Sequence, residues 1–125
     1  MKAISVKQPY AGWILQGVKK IETRTWITRF TNNQDILIVS SIRKHPDFAG
    51  RKFQHPDHNY YGYALCVVKI VQCRPMTVKD EPAACCNMYP GAWSWVLSDV
   101  RRIQPFQIKG IERFFEVDDS LIKYL

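Results

Sequence analysis

The pattern of apolar and polar positions along the chain predicts a mainly β protein. β-branched and aromatic residues cluster in short runs, and turn-forming residues separate these runs, which is typical of strands. The predicted strands cover residues 3–6, 21–27, 36–42, 61–73, 93–102 and 111–117. The run that begins at Tyr61 is apolar on both faces over its first part. A strand of that kind lies in the middle of a sheet.

One segment has helical periodicity instead. Tyr10, Trp13, Ile14 and Gly17 recur at i, i+3, i+4 and i+7, which predicts a helix over residues 9–16. Pro9 suits the first turn of a helix, and Gly17 suits the capping position after it, where a positive φ is common. Shorter helical turns are expected within residues 47–54, 79–86 and 120–125.

The order of these elements predicts the fold class. Strands and helices do not alternate regularly, which argues against a doubly wound parallel sheet. We therefore predict an α+β fold, a small mixed β-barrel of about six strands with one to three short peripheral helices. Residues 1–125 show no linker or internal repeat, so the chain is expected to form one domain.

Charge adds a class of partner to this picture. The 125 residues include 18 Lys and Arg against 11 Asp and Glu, a net charge of +7. An excess of positive charge of this size favours a polyanionic partner, and nucleic acid is the leading candidate. No apolar run approaches the length of a membrane span, and the first residues lack the apolar core of a signal peptide, so a cytoplasmic location is expected.

Metal and cofactor signatures do not emerge from the sequence. The cysteines Cys66, Cys73, Cys85 and Cys86 fit no Cys-x-x-Cys pattern and are expected to be reduced thiols. The pair His55 and His58 lacks further ligands at regular spacing, so we expect a basic loop there and no metal. The glycine-rich signatures of nucleotide cofactor sites are also missing, and no cofactor is expected.

The segment 17–24, which reads GVKKIETR, concentrates charge where the predicted helix meets the next strand. Because side chains alternate along a strand, Glu22 and Arg24 should share one face, with Lys19 close enough to reach Glu22. Such a cluster is either a solvated set of ion pairs on an edge strand or part of a site. The site hypothesis predicts that Glu22 and Arg24 point into one pocket beside Lys19.

This segment also resembles a known signature. Gly17-x-Lys19-x-x-Glu22-x-Arg24 resembles the GxKxxExR motif of the ASCH domain, a member of the PUA-like β-barrel superfamily. Residues 5–11 resemble the opening strand and helix entry of that family, and residues 92–105 resemble its late Trp-rich strand with an R-x-I-x-P exit. The resemblance implies a PUA-like barrel that holds RNA or a nucleoside in a cleft beside the signature.

The resemblance leaves the activity open. Some relatives resemble hydrolases that remove the acetyl group of 4-acetylcytidine, and others are described as ribonucleases. In the amidohydrolase branch the motif reads K-x-x-T-x-R, with the Lys and Thr catalytic and a later Glu as third member. This chain carries Glu22 in place of that Thr, which removes the hydroxyl nucleophile. Asp80 and Glu81 are candidates for the missing acid.

Three functions follow from these observations. The leading hypothesis is an RNA-binding domain whose cleft holds a single-stranded or flipped nucleotide. The alternatives are a small hydrolase acting on RNA or on a modified nucleoside, with Lys19 and Glu22 catalytic, and a protein-interaction module with a vestigial pocket. The oligomeric state stays open. The candidate RNA-binding residues are Tyr10, Gly17, Lys19, Glu22, Arg24, Ser40, Arg43, Lys44, Trp93 and Arg101.

Overall fold

The computed structural model describes residues 1–125 and contains one six-stranded sheet. The strands are β1 (Lys2–Val6), β2 (Ile21–Arg24), β3 (Asp35–Ser40), β4 (Tyr63–Pro75), β5 (Trp93–Gln107) and β6 (Phe114–Glu116). They lie in the order β2-β5-β4-β3-β1-β6. Strands β1 and β3 are parallel and the other neighbours are antiparallel. Register shifts along β4 and β5 bend the sheet into a curled half-barrel, because each bulge increases local twist.

The helices are short and peripheral. They are α1 (Tyr10–Leu15) and α2 (Glu81–Ala84), together with 3₁₀ turns at Pro46–Phe48, Pro56–His58, Val78–Asp80 and Asp119–Leu121. This arrangement confirms the predicted α+β fold with about six strands. No helix has the length and apolar character needed to cross a membrane.

Several strand boundaries differ from the sequence prediction, and two of these differences have a clear physical cause. Strand β2 was expected to continue to residue 27 but ends at Arg24, because Arg24 pairs with Trp93, the first residue of its only partner strand. Strand β5 was expected to end at residue 102 but continues through Pro105 to Gln107. The register between β4 and β5 shifts in this region, and a bulge tolerates a residue that has no N–H to donate.

The core lies on both faces of the sheet. Along β3, Ile36 and Ile38 pack under α1 with Trp95, whereas Leu37 and Val39 pack on the opposite face. All four of these β3 side chains are buried. The alternation explains why this strand reads as a continuous apolar run, since a central strand with two covered faces has no polar side.

Gln8 connects α1 to the long loop of residues 43–59. Its amide nitrogen donates to the carbonyls of Asp57 (2.8 Å) and Tyr60 (2.9 Å), and its amide oxygen accepts from the backbone N–H of Gly12. The side chain is fully buried, so each of these groups would be costly to leave unpaired. The loop of residues 43–59 is therefore held against the helix.

The histidines of this loop have structural roles. Nδ1 of His55 accepts from the backbone N–H of Asp57 and thereby begins a 3₁₀ turn. The buried ring of His58 occupies the space where a Cβ on Gly12 would lie, and its Nδ1 is 3.1 Å from the carbonyl oxygen of Pro9. Only glycine fits at position 12 while this ring is present.

We expect the protein to lose stability as the pH falls below about 6.5, the ordinary pKa of histidine. Burial lowers the pKa of His58, so the unfolded chain takes up a proton here more readily than the folded protein. The stabilisation is complete above the unfolded-state pKa and is lost progressively below it. Urea unfolding near pH 5 and near pH 7.5 should show this loss in the wild type and a smaller one in His58→Gln. His55→Asn, which keeps a capping acceptor, serves as the control and should retain the wild-type pH dependence. An equal dependence in wild type and His58→Gln would contradict the prediction.

Candidate functional site

An open cleft of about 1350 Å³ lies where β2 comes close to β1. Its lining comes from the end of β1, the start of α1, β2 and four loops, those after β2, after β3, before β5 and before β6. Five of the predicted site residues line it: Tyr10, Lys19, Glu22, Arg24 and Arg43. The concave shape favours the site hypothesis over a set of ion pairs exposed to solvent.

The carboxylate of Glu22 is shared by two cations at the base of this cleft. Its Oε1 lies 3.6 Å from Nζ of Lys19, and its Oε2 lies 2.8 Å from Nη2 of Arg24. The side chains of Lys19 and Glu22 are only 2% and 10% exposed. Strand alternation places Glu22 and Arg24 on one face, as the spacing predicts, and the turn before β2 brings Lys19 beside them.

Lys19 is enclosed on every side. Its Nζ donates a hydrogen bond to the carbonyl oxygen of Ala84, at the end of α2, and lies 4.8 Å from the centroid of the Tyr10 ring. A carboxylate, a carbonyl and an aromatic face together replace the water that a buried ammonium loses. Burial raises the pKa of Tyr10 to about 12, so its hydroxyl stays neutral in the physiological range.

Gly17 shapes the turn that delivers Lys19 and does not line the cleft. Its φ is +77°, in the left-handed region that favours glycine, and the next two backbone N–H groups, of Val18 and Lys19, both donate to the carbonyl of Trp13. The prediction that Gly17 belongs to the binding surface is therefore corrected to a role in ending the helix.

Arg24 bridges the two strands at the base of the cleft. Its Nε donates to Glu22 (3.0 Å) and its Nη2 donates to the backbone carbonyl of Ser5 on β1 (2.6 Å). The side chain is still 24% exposed. These contacts use Nε and Nη2 and leave Nη1 of the guanidinium available to a ligand.

A pair of hydroxyl groups lies in the same cleft. The hydroxyl of Tyr89 donates to Oγ1 of Thr23 (3.0 Å), and Sγ of Cys86 lies 3.8 Å from the same oxygen. Burial raises the pKa of Tyr89. Thr23 was not among the sequence candidates, because it alternates away from Glu22 along β2. It lines the cleft because residues 85–89 fold over this edge strand, a long-range contact that no local pattern signals.

Two predicted site residues have structural partners outside the cleft. Oγ of Ser40 is bound to the backbone N–H and carbonyl of Tyr63, so this buried side chain joins β3 to the start of β4. Arg101 donates to Asp35 at 2.6 Å and, with Lys69, lowers the pKa of that carboxyl to about 2. Neither Ser40 nor Arg101 reaches the ligand-accessible surface of the cleft.

Two further candidates also lie elsewhere. Lys44 donates to the backbone carbonyl of Arg51 within its own loop. Trp93 packs against the core and lines a separate, shallower depression beside Pro75.

The acids considered as replacements are already engaged. Asp80 binds both terminal nitrogens of Arg74, at 2.6 and 2.8 Å, and also accepts from Oγ of Ser94. Its pairing with Arg74 holds the pKa of this carboxyl well below its usual range. Glu81 accepts from the backbone N–H of Met88 (2.8 Å). Neither lines the cleft.

The cleft as a whole is positively charged. Six cationic side chains line it, against three acidic ones; the cations are Lys7, Lys19, Arg24, Arg43, Lys109 and Arg113, and the acids are Glu22, Asp47 and Glu112. Exposed aliphatic side chains are interleaved with them, since Ile42 is 66% exposed and Ile111 is 64% exposed. Cations beside apolar surface suit a ligand that is anionic and also carries flat apolar faces.

Comparison with known proteins agrees with this fold. The model of the ASCH domain family matches residues 4–107. The crystal structure of an ASCH protein from Zymomonas mobilis superposes with a TM-score of 0.65 at 13% identity, over 95% of this chain and 88% of that chain. A tyrosine-to-phenylalanine variant of the Zymomonas mobilis protein gives 0.62 at 13% identity, over 98% of both chains. A serine-to-alanine variant gives 0.63 at 13% identity, over 98% of this chain and 96% of that chain. No curated protein matches the chain.

Replacing Glu22 with Gln should destabilise the protein by about 3–5 kcal/mol, the cost of leaving a buried charge without its partner. In this variant the charge left unpaired is the ammonium of Lys19. Urea unfolding measures the loss. Adding Lys19→Met to this variant should recover part of it, because the unpaired ammonium is then gone.

The matched control is Asp35→Asn, which breaks pairs whose side chains are 20–32% exposed. Pairs of that exposure contribute about 0.2–1 kcal/mol each, so the control should lose markedly less. A Glu22→Gln variant as stable as the wild type would contradict the conclusion that the Glu22 carboxylate compensates the buried ammonium of Lys19.

Proposed function

The chain belongs to the ASCH domain family, which is generally RNA-associated, and we propose that its cleft binds a nucleotide of single-stranded or flipped-out RNA. One observation carries the proposal: the partly exposed guanidinium of Arg24 is held at the base of a cleft that has twice as many cations as acids. A phosphodiester strand is the anionic ligand that also presents flat apolar bases.

Arg24 is well prepared to bind a phosphate. Glu22 and the Ser5 carbonyl fix two of its nitrogens, so little side-chain freedom is lost when a ligand arrives. Charge-assisted hydrogen bonds from guanidinium to phosphate are among the stronger contacts in proteins. Glu22 offsets one of the two cations that it contacts, so the pair Lys19 and Arg24 keeps an excess positive charge beside the ligand.

Aromatic side chains supply surfaces for bases. Tyr89 is half-buried in the cleft, and Trp26 lines it with the guanidinium of Arg113 4.7 Å from its ring centroid. Stacking of a base on an aromatic ring contributes about 1–3 kcal/mol. The combination of a fixed arginine, rim cations and aromatic faces favours a nucleotide over a simple anion.

The arrangement favours binding over catalysis by Lys19 and Glu22. Nζ of Lys19 is buried and donates to the Ala84 carbonyl, and both oxygens of Glu22 already contact cations. A general acid or base must come within hydrogen-bond reach of the reacting group. Lys19 in this position stabilises the cleft and contributes a positive electrostatic potential to it.

A hydrolase acting on RNA or on a modified nucleoside such as 4-acetylcytidine is the second candidate. The observation in its favour is the hydroxyl pair of Thr23 and Tyr89, which could replace the hydroxyl missing at position 22. The partners of the Thr23 hydroxyl are Tyr89 and the thiol of Cys86, and neither is an effective base. A protein-interaction module with a vestigial pocket is a third reading, and the inward-facing charges argue against it.

Wild-type protein should bind short single-stranded RNA with an affinity that falls steeply with salt, by a slope of about 0.7 per phosphate contact on a log–log plot. Fluorescence anisotropy at several salt concentrations measures this. Arg24→Ala should weaken binding by about 1–3 kcal/mol, the scale of a lost charge-assisted contact.

Arg101→Ala is the matched control, since it removes an arginine outside the cleft and should leave affinity nearly unchanged. Arg24→Lys keeps the positive charge but lacks the forked guanidinium, and it controls for a folding defect in Arg24→Ala. Its affinity for RNA should fall between those of the wild type and Arg24→Ala. No binding at low salt, or a flat salt response, would refute the proposal.

Purified wild-type protein should not turn over 4-acetylcytidine or single-stranded RNA, because neither candidate catalytic side chain has a free reactive atom in the cleft. Chromatographic analysis of both substrates after incubation measures this. Robust turnover that Thr23→Val abolishes, with binding retained, would establish the hydrolase instead.

A further inference from the structure

The two walls of the cleft differ sharply in charge. One wall joins the loops after β3 and before β6, which are held together where the Ile108 N–H donates to the Gly62 carbonyl and Ile42 packs on Gly62. With the end of β1 it carries Lys7, Arg43, Lys109 and Arg113, which we call the cationic wall. The other wall is formed by residues 85–89 and has no charged side chain, which we call the neutral wall.

The charges of the cationic wall are available to a ligand. All four of its side chains are exposed, and none takes part in a salt bridge of the molecule. Asp47 and Glu112 on the same side offset only part of this charge. Unpaired lysines and arginines along one side of a groove follow a phosphate backbone without reading its sequence.

The neutral wall is held in place from several directions. The Ala84 carbonyl binds Lys19, the Met88 N–H donates to Glu81, and the Tyr89 hydroxyl donates to Thr23. Asn87 stands exposed between these anchored positions. Its amide has a donor and an acceptor side by side, the pattern that matches the polar edge of a base, and it carries no charge that would favour the backbone.

We propose that the cleft binds an RNA strand with its phosphates along the cationic wall and a base against the neutral wall, where Asn87 selects among bases. This inference rests on the proposed function and names the ligand as a strand, not a free nucleoside. The size of the cleft agrees, since about 1350 Å³ exceeds the roughly 300–1,000 Å³ of ordinary small-molecule pockets. The exposed Ile42 and Ile111 offer apolar surface to neighbouring bases.

The test compares labelled single strands of A, C and U, about eight nucleotides long, by fluorescence anisotropy at several salt concentrations. Wild type should prefer one base. Asn87→Ala should lower affinity for the preferred strand about tenfold, with little change for the others and an unchanged salt slope. Arg43→Ala should weaken binding to all three strands evenly and reduce the slope by about 0.7. The free nucleoside of the preferred base should compete poorly.

The controls are an amide and a cation that are exposed outside the cleft, Asn32→Ala and Lys79→Ala, and both should leave base preference and salt slope unchanged. Strand binding without base preference, or an Asn87→Ala variant that weakens all strands equally, would overturn this inference and leave the proposed function in place. If no strand binds at low salt, the proposed function fails and the assignment of the walls fails with it.

Discussion

The rest of the structure depends on one carboxylate. Glu22 lies between Lys19, which binds the end of α2, and Arg24, which binds the backbone of β1. Two cations this close would repel each other, and the buried ammonium alone would be costly. The carboxylate therefore lets a cation-rich cleft fold, and it leaves a residual positive charge at the base of that cleft.

This ion cluster also helps to bring the two sides of the half-barrel together. The sheet has two edges, β2 and β6, and they are not joined by backbone hydrogen bonds. Side chains close the gap: Arg24 reaches β1, and the ring of Trp26 meets that of Phe114 on β6 in an edge-to-face contact at 5.7 Å. A closure made of side chains leaves space that paired strands would fill. The cleft is thus a consequence of how the edges meet.

The sequence predicted what depends on local periodicity. The two-faced burial of β4, the helix after Pro9 and the shared face of Glu22 and Arg24 all follow from spacing. It could not predict contacts set by register between distant strands. Ser40 therefore proved to be a link to β4, and Thr23 entered the cleft only because residues 85–89 cover β2. Arg101 is a third example of such a long-range contact, since its guanidinium is bound by Asp35 from another strand of the sheet.

The carboxylate at position 22 changes what Lys19 can do. With a hydroxyl there, the ammonium would have no counter-charge on β2, and its burial would be costly. Glu22 instead supplies that counter-charge and, with the Ala84 carbonyl, holds the ammonium in place. The same residue fixes Arg24 with a free nitrogen. Of the two cations that Glu22 pairs, Lys19 is therefore held by protein groups and Arg24 stays partly exposed, and a fixed guanidinium is better suited to holding an anion than to transferring a proton.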